Sequence, residues 1–386
     1  MPGVSFSDNG GMTSASHSSD SAEPFEGLRI RGVAKTFGTD TTVLNEIDLD
    51  VHPGELISLV GSSGTGKSTL LRIIAGLEEP SAGRVTYAGQ PLERGSVGVV
   101  FQHPILYPHL SVKDNILFPT RLGAFAGRVD MDYYRELLEA LKLEGLESRK
   151  PSQLSGGQAQ RVGIARALIR RAPVVLFDEP LASVDEEMSA SIRADIVRLH
   201  ERYGFTGLYV THDQNEALML GQRVAVMDAG YLVQVDTPEH LLAHPHTLQV
   251  AKLMAAPALN LVALEDSAVL PAGCQLAIRA TALCPVAADA AHSLPVQVLG
   301  SRHLVGGMLY RARLLEAVSL PLESRRASAD SEPSDRVYAR VRAGQELEFF
   351  IPDAQSGSSL NVGDRVHLGV AAERCFLFSG GKRFYL

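Results

Sequence analysis

Between Leu28 and about Pro257, short apolar runs alternate with stretches whose apolar residues recur at helical spacing. The runs LISLV (56–60), VVLF (174–177) and GLYV (207–210) predict buried strands. Gly156 to Arg171, with Val162, Ile164, Ala165 and Leu168 in step, predicts a helix, and a second helix is predicted from near Thr69 through Leu70, Leu71, Ile73 and Ile74. Strands alternating with helices build a parallel sheet with helices packed on it, so this part belongs to the α/β class. After Leu259 the pattern changes. QLAIRATAL, LPVQVLG, MLYRARLL, RVYARV and DRVHLGV alternate as strands do, broken by Gly and Pro, and predict a small all-β barrel or sandwich. The polar segment Pro321–Asp335 reads as a mobile hairpin loop, and the Ser/Gly/Asp-rich residues 1–27 as a disordered tail. No internal repeat is present. The expected division is a tail at 1–27, an α/β unit at 28–257 and a β unit at 258–386.

Composition narrows the class. A chain of 386 residues with 45% hydrophobic content exceeds the roughly 250 residues that one core serves, which agrees with two cores. The net charge of −8 argues against a protein that grips nucleic acid through a broad basic surface. Three cysteines, Cys274, Cys284 and Cys375, fall late in the chain without CxxC-type spacing, so neither a disulfide framework nor a zinc site is indicated and a reduced, cytosolic setting is expected. No apolar run approaches the roughly 18 residues of a membrane span, and the N-terminus lacks the basic-then-apolar order of a signal peptide. The chain is not expected to cross a membrane by itself.

Three short stretches carry the chemistry. GSSGTGKST, Gly61 to Thr69, spends its positions on Gly61, Ser62, Ser63, Gly64, Thr65, Gly66, Lys67, Ser68 and Thr69, directly after a strand and before a helix. A loop so poor in large side chains cannot support a core. Its backbone N–H groups can instead converge on phosphate oxygens, with the helix dipole behind them, Lys67 reaching the outer phosphates and the Ser68 hydroxyl available to Mg²⁺. The plainer reading is a flexible strand-to-helix turn. VVLFDEP ends its strand in Asp178 and Glu179, one carboxylate suited to Mg²⁺ and the other to orienting or deprotonating a water. Standing alone, the pair would read as an acidic helix start before Pro180. LSGGQAQR, Leu154 to Arg161, places Ser155 at an N-cap position ahead of Gly156, Gly157 and Gln158, which offers either a second phosphate-binding helix start or an ordinary Ser-Gly-Gly turn. Thr211 with Gln214 reads as a capping box, with His212 a bystander in the first turn.

Gly61–Thr69, LSGGQ at 154–158, VVLFDEP at 174–180 and THD at 211–213, in that order, closely resemble the nucleotide-binding subunits of ATP-binding-cassette (ABC) transporters. The resemblance covers roughly 28–257 and implies a P-loop NTPase fold of the ABC type with a helical signature subdomain. It implies ATP and Mg²⁺ as cofactors. By the same resemblance Lys67, Glu179 and His212 are catalytic, and Phe37 in KTFG stacks on adenine. Gln102 senses the metal and the attacking water, Ser68 and Asp178 join it around Mg²⁺, and Asp185 communicates between two sites. Val184 stands where Leu is commoner in that loop. Read without the family, Phe37 is a core residue and Gln102 a polar strand cap. The resemblance further implies that Ser155–Gln158 completes the site of a second copy, making a homodimer that ATP closes and hydrolysis opens.

HPILYPHLSVKDNI (103–116) resembles the region that docks a permease in binding-protein-dependent importers, and exposed Leu106, Tyr107 and Leu110 are expected to form the contact patch; a Pro-terminated surface loop is the alternative. The β unit resembles the transport-associated OB-like domain of such subunits, although IRATALCP (278–285) lies where relatives often have Ile-Arg-Pro-Glu. The expected partners are therefore transmembrane permease subunits, a second ATPase subunit and, indirectly, an external solute-binding protein, on the cytoplasmic face of the cell membrane, with no nucleic acid. A soluble ABC-type ATPase acting on a macromolecule is the competing class, and an enzyme with a diffusible phosphate acceptor a distant third.

Overall fold

A computed structural model describes residues 25–121, 129–265, 270–271, 273–322, 337–355, 359–371 and 374–384. The tail expected at 1–27 therefore lies outside the described residues up to position 24. Of the segment 321–335, Pro321 and Leu322 belong to a strand and the remainder lies outside the described residues.

The chain begins with strands β1 (Leu28–Phe37), β2 (Thr41–Val51) and β3 (Leu56–Val60), then helix α1 (Lys67–Ile74). Strands β4 (Ala82–Tyr87), β5 (Gln90–Pro91) and β6 (Gly98–Val100) follow, then helices α2 (Val112–Leu117), α3 (Met131–Ala140) and α4 (Gly156–Leu168). Next come β7 (Val174–Asp178), α5 (Glu186–Tyr203), β8 (Thr206–Thr211), α6 (Gln214–Leu220), β9 (Arg223–Asp228), β10 (Tyr231–Asp236), α7 (Pro238–Ala243) and α8 (Leu248–Leu253).

A six-stranded sheet in the order β10-β9-β3-β8-β7-β6 carries the expected strands, parallel throughout except for the edge strand β10. All five residues of β3 are buried, because both of its faces are covered, as continuous apolar strands require. Leu56, Val175 and Phe177 join a core with Ile116, Leu137, Ile164 and Ile192 from the helices. Ile57, Leu59, Val174 and Leu176 face the opposite way into a core with Leu70 and Leu71 of α1 and Leu28, Ile30 and Leu49.

The latter three belong to a four-stranded antiparallel sheet, β2-β1-β4-β5, that the reading of alternating strands and helices did not anticipate. The first half of β1 buries Leu28 and Ile30 while Arg29 and Arg31 stay partly exposed, the period-two pattern of a half-wet antiparallel strand, and β2 buries Leu44, Ile47, Leu49 and Val51.

Two helix boundaries differ from expectation. α1 starts at Lys67, not near Thr69, because its cap is Gly66, held at φ 98°, so Lys67, Ser68 and Thr69 form the first turn. α4 stops at Leu168 rather than Arg171, whose φ of 47° is left-handed.

Past α8 every strand is antiparallel. β11 (Leu259–Ala263), β12 (Gln275–Arg279), β13 (Leu283–Val286), β14 (Leu294–Leu304) and β15 (Gly307–Leu314) come first, and β16 (Val318–Leu322), β17 (Val337–Val341), β18 (Glu346–Pro352), β19 (Arg365–Val370), β20 (Cys375–Ser379) and β21 (Lys382–Phe384) follow. They form sheets β11-β12-β20-β21 and β13-β19-β14-β15-β18 and the pair β16-β17. Val262, Leu276, Val296, Tyr310, Leu320, Ala339, Phe349 and Leu368 meet in one core. Within the stretch expected as the strand QLAIRATAL, residues 280–282 are a 3₁₀ turn instead.

Helices α7 and α8 dock on this β region. Ala251 packs with Ala277, Phe376 and Phe378, and the Arg279 guanidinium donates to the carbonyls of Leu242, at 3.0 Å, and Met254. Burial, then repulsion from Arg374 and Arg383, brings the pKa of Arg279 down to about 10, so carbonyls in the last turn of α7 and just past the end of α8 are fitting acceptors. Among the described residues no helix is long and apolar enough to cross a membrane.

Candidate functional site

The carboxyl ends of β3, β7 and β8 meet at one edge of the parallel sheet. Val60 leads into the glycine loop, whose tip, Ser62 to Gly64, is exposed while Gly61, Thr65 and Gly66 are buried. A Cβ on Gly66 would stand 2.6 Å from Leu44 Cδ2 and 2.8 Å from the Val43 carbonyl, and its φ is positive, so this position excludes any side chain. Thr65 Oγ1 donates to Ser62 O at 2.9 Å and closes the loop. Lys67, 5% exposed, donates from Nζ to Gly61 O at 2.7 Å and Ser62 O at 3.0 Å. Burial lowers its pKa, and the charges of Glu179 and Asp178 push it back up.

Facing this loop, Ser68 Oγ donates to Asp178 Oδ1 at 3.5 Å. Asp178 has a raised pKa, first from burial and then from the neighbouring Glu179 charge, with Ser68, Arg72 and Lys67 pulling the other way. Glu179 follows the last residue of β7 and takes a left-handed backbone conformation, with φ 44°. Its N–H donates to Val210 O at 3.0 Å, and its Oε2 lies 2.9 Å from His212 Nδ1. No helix starts at this acidic pair. The next helix, α5, begins seven residues on, capped by Asp185, whose Oδ1 accepts from Met188 N–H at 2.9 Å.

His212 is not in the first turn of α6. That helix is capped by Asp213, which accepts from the N–H groups of Asn215 and Glu216, and Thr211 ends β8. The capping box read from Thr211 and Gln214 therefore does not form. The cap sits two residues later and leaves His212 on the connecting loop, its side chain 60% exposed.

The second group stands apart. Ser155 caps α4 with a complete capping box: its Oγ accepts from Gln158 N–H at 3.2 Å, and Gln158 Oε1 accepts from Ser155 N–H at 3.0 Å. A Cβ on Gly157 would come within 2.5 Å of Met188 Cγ, so the start of α4 lies against the start of α5 and beside Asp185. Among the described residues no hydrogen bond or ion pair joins Ser155–Gln158 or Asp185 to the glycine loop, Glu179 or His212.

Gln102 follows β6 with its side chain exposed, while its carbonyl accepts from Ser183 Oγ at 3.0 Å, which ties it to the segment running from Glu179 to Asp185. Phe37 ends β1 opposite Thr41, 42% exposed rather than in the core, with Lys35 Nζ 4.9 Å from its ring centre. Of the expected contact patch, Tyr107 is exposed, but Leu106 and Leu110 are half-buried, because Leu106 packs on the helical core; Ile105, 61% exposed, is the apolar side chain presented instead.

Sequence reading passed over one buried ion pair. Asp195 on α5 has no exposure, and Arg161, three residues beyond Gln158, reaches it at 2.9 Å and donates to Ser191 Oγ at 2.8 Å. The signal was an arginine placed four residues before Ala165 and seven before Leu168, on the face of α4 that is buried.

A parallel sheet whose strand ends hold a glycine loop on a helix start, a buried lysine and two strand-terminal carboxylates defines a P-loop nucleoside triphosphatase. Residues 44–182 match the family described as ABC transporter. Two ATP-binding proteins of sn-glycerol-3-phosphate import, UgpC 1 of Rhizobium johnstonii and UgpC of Yersinia enterocolitica, are 45% identical over 241 residues and 44% over 243; each match covers 61% of this chain, and 65% and 67% of those proteins. The chain thus spans just under two thirds of the Rhizobium protein. UgpC of Salmonella typhi is 42% identical over 66% of this chain and 74% of its own length. Among solved structures, cbiO1 of Clostridium perfringens, described as part of the ABC transporter complex cbiONQ, superposes with a TM-score of 0.51 at 27% identity, over 57% of this chain and 92% of its own. The chain belongs to the ABC transporter family.

Proposed function

We propose that this subunit binds ATP with Mg²⁺ at the Gly61–Thr69 loop and that two copies close head to tail around two nucleotides to energise a membrane importer. The observation that carries the reading is the separation of two groups: Lys67, Ser68, Asp178, Glu179 and His212 converge at one sheet edge, while Ser155–Gln158 and Asp185 form a second surface that does not reach them. A phosphate-binding helix start with no phosphate site of its own chain fits the site of a partner copy.

Within the site, the loop N–H groups and Lys67 hold the phosphates, and Phe37 offers an exposed ring to adenine. Ser68 Oγ, Asp178 and the Gln102 side chain are hard oxygen donors of the kind Mg²⁺ takes, and the 3.5 Å approach of the first two fits a shared ion. The metal, when bound, neutralises charge on the phosphates. Glu179, oriented by its hydrogen bond to His212, holds the attacking water and takes its proton, and His212 faces the γ-phosphate. Asp185, adjoining the Ser155 surface, carries the state of one site to the other.

Residues 28–257 form the ATPase unit in this reading and residues 258–386 an OB-like transport-associated unit. Ile105 and Tyr107 serve as the contact for permease subunits at the cytoplasmic face of the membrane, with an external solute-binding protein delivering cargo. The relatives are named for sn-glycerol-3-phosphate, which makes that solute the first to test. Tagged Glu179→Gln protein captured with ATP from detergent-solubilised membranes of its native cell should bring a multi-span permease with it. Recovery of soluble proteins alone would overturn the transport reading.

A further inference from the structure

His212 sits on a loop that a buried carboxylate holds in shape. Glu216, on α6, is 8% exposed, and its Oε2 accepts two hydrogen bonds, from the Tyr209 hydroxyl at 3.2 Å and from Thr211 Oγ1 at 2.8 Å. Thr211 Oγ1 in turn accepts from the N–H of Asp213 at 3.0 Å. Asp213 Oδ1 accepts from the N–H groups of Asn215 at 2.7 Å and Glu216 at 3.1 Å. The bonds return to their starting residue and tie down the neighbours of His212 on both sides.

The ring is anchored to the strands that carry the reacting groups. Tyr209 is fully buried with its ring centre 5.6 Å from that of Phe177, the residue before Asp178 and Glu179. Glu179 N–H is bonded to Val210 O, between Tyr209 and Thr211. Packing alone does not call for a carboxylate here, since burying one is costly and a leucine of similar size would cover β3 and β8 without that cost. What the carboxylate adds is direction: two hydroxyls aimed at one oxygen fix the turn of the chain at Thr211.

We propose that Glu216 is a positioning residue for His212, setting through Thr211 where the imidazole stands against Glu179. The inference rests on the reading of His212 as the group that faces the γ-phosphate. A side chain misplaced by an ångström forfeits much of an oriented reaction's advantage, and among the described residues the His212 side chain makes no hydrogen bond beyond the one to Glu179 with which to correct an error.

The test measures ATP turnover and nucleotide affinity of the full-length chain carrying Glu216→Gln, Glu216→Leu or Thr211→Val, each alone and combined with His212→Ala. The amide oxygen of Gln can accept both hydroxyls, so Glu216→Gln should keep most of the turnover. Glu216→Leu and Thr211→Val should lower kcat roughly ten- to a hundredfold with nucleotide affinity unchanged. In the His212→Ala background neither should lower it further, because the group they position is gone. Thr211→Val keeps the β-branched shape of the strand end and carries the test if Glu216→Leu fails to fold. Wild-type turnover in Thr211→Val, a loss in Glu216→Gln equal to that in Glu216→Leu, or losses that multiply with His212→Ala would each overturn the proposal. Wild-type turnover in His212→Ala alone would instead overturn the reading of His212 beneath it.

Discussion

At the opposite edge of the parallel sheet from the glycine loop, Glu55 makes two bonds with Arg223, at 2.6 and 2.8 Å, and accepts the His52 N–H at 2.8 Å. Burial pushes the Glu55 pKa up, but the bonds to Arg223 and to the His52 amide outweigh it and leave the carboxyl below its ordinary value. A folded-state pKa that is depressed stabilises the fold above the unfolded pKa, and that stabilisation is lost as pH falls through the folded value. Glu55→Gln should therefore cost about 1.5–3 kcal/mol near neutral pH, the range for a hydrogen bond to a charged group, and progressively less as the solution is made acid. Urea unfolding of both proteins across that range checks the sign. A difference that stays constant with pH would contradict it. Glu179 marks a limit of sequence reading at this scale: VVLFDEP announced two carboxylates at a strand end, but not the left-handed backbone that turns the second toward His212.

Among elements, Asp195 ties α5 to α4. It is fully buried against Arg161 of α4, with Lys142 at 3.5 Å and Arg198 beside it, so both helix starts, one bearing Ser155–Gln158 and the other Asp185, are locked together. Asp195→Ala leaves a buried guanidinium without its counter-charge and should lower unfolding stability by about 3–5 kcal/mol. Denaturant titration giving less than about 1 kcal/mol, the range of an exposed pair, would refute that role. Elements covered on both faces were legible in the sequence, because continuous apolar runs such as LISLV and VVLF admit few other readings. The antiparallel sheet of β1, β2, β4 and β5 was not, since its strands alternate weakly and β1 is broken by register shifts at Ile30, Val33 and Lys35. The start of α1 was misplaced for a local reason: a glycine cap in a left-handed conformation gives none of the Ser/Thr/Asp signal by which helix starts are read. The Ser155 N-cap, which does carry that signal, stands where the sequence places it, and the structure adds the return bond from Gln158.

Across the whole molecule, the motifs that sequence order made recognisable sort in space into two surfaces, and that sorting is what a linear reading cannot supply. Lys67, Asp178, Glu179 and His212 come from segments as far apart as residues 67 and 212 and meet because β3, β7 and β8 are neighbours in one sheet. Ser155–Gln158 and Asp185, although they fall between these segments in sequence, are carried off by the helical layer. In the proposed function these surfaces are two halves of one site, which two copies of the chain join around ATP. The direct measurement is the mass of purified Glu179→Gln protein by size-exclusion chromatography with light scattering, with and without ATP and Mg²⁺. A shift from monomer to dimer that requires ATP is the result predicted here, because nucleotide bound and not hydrolysed would hold the two surfaces together. A monomer in both conditions, with nucleotide bound at saturation, would contradict it.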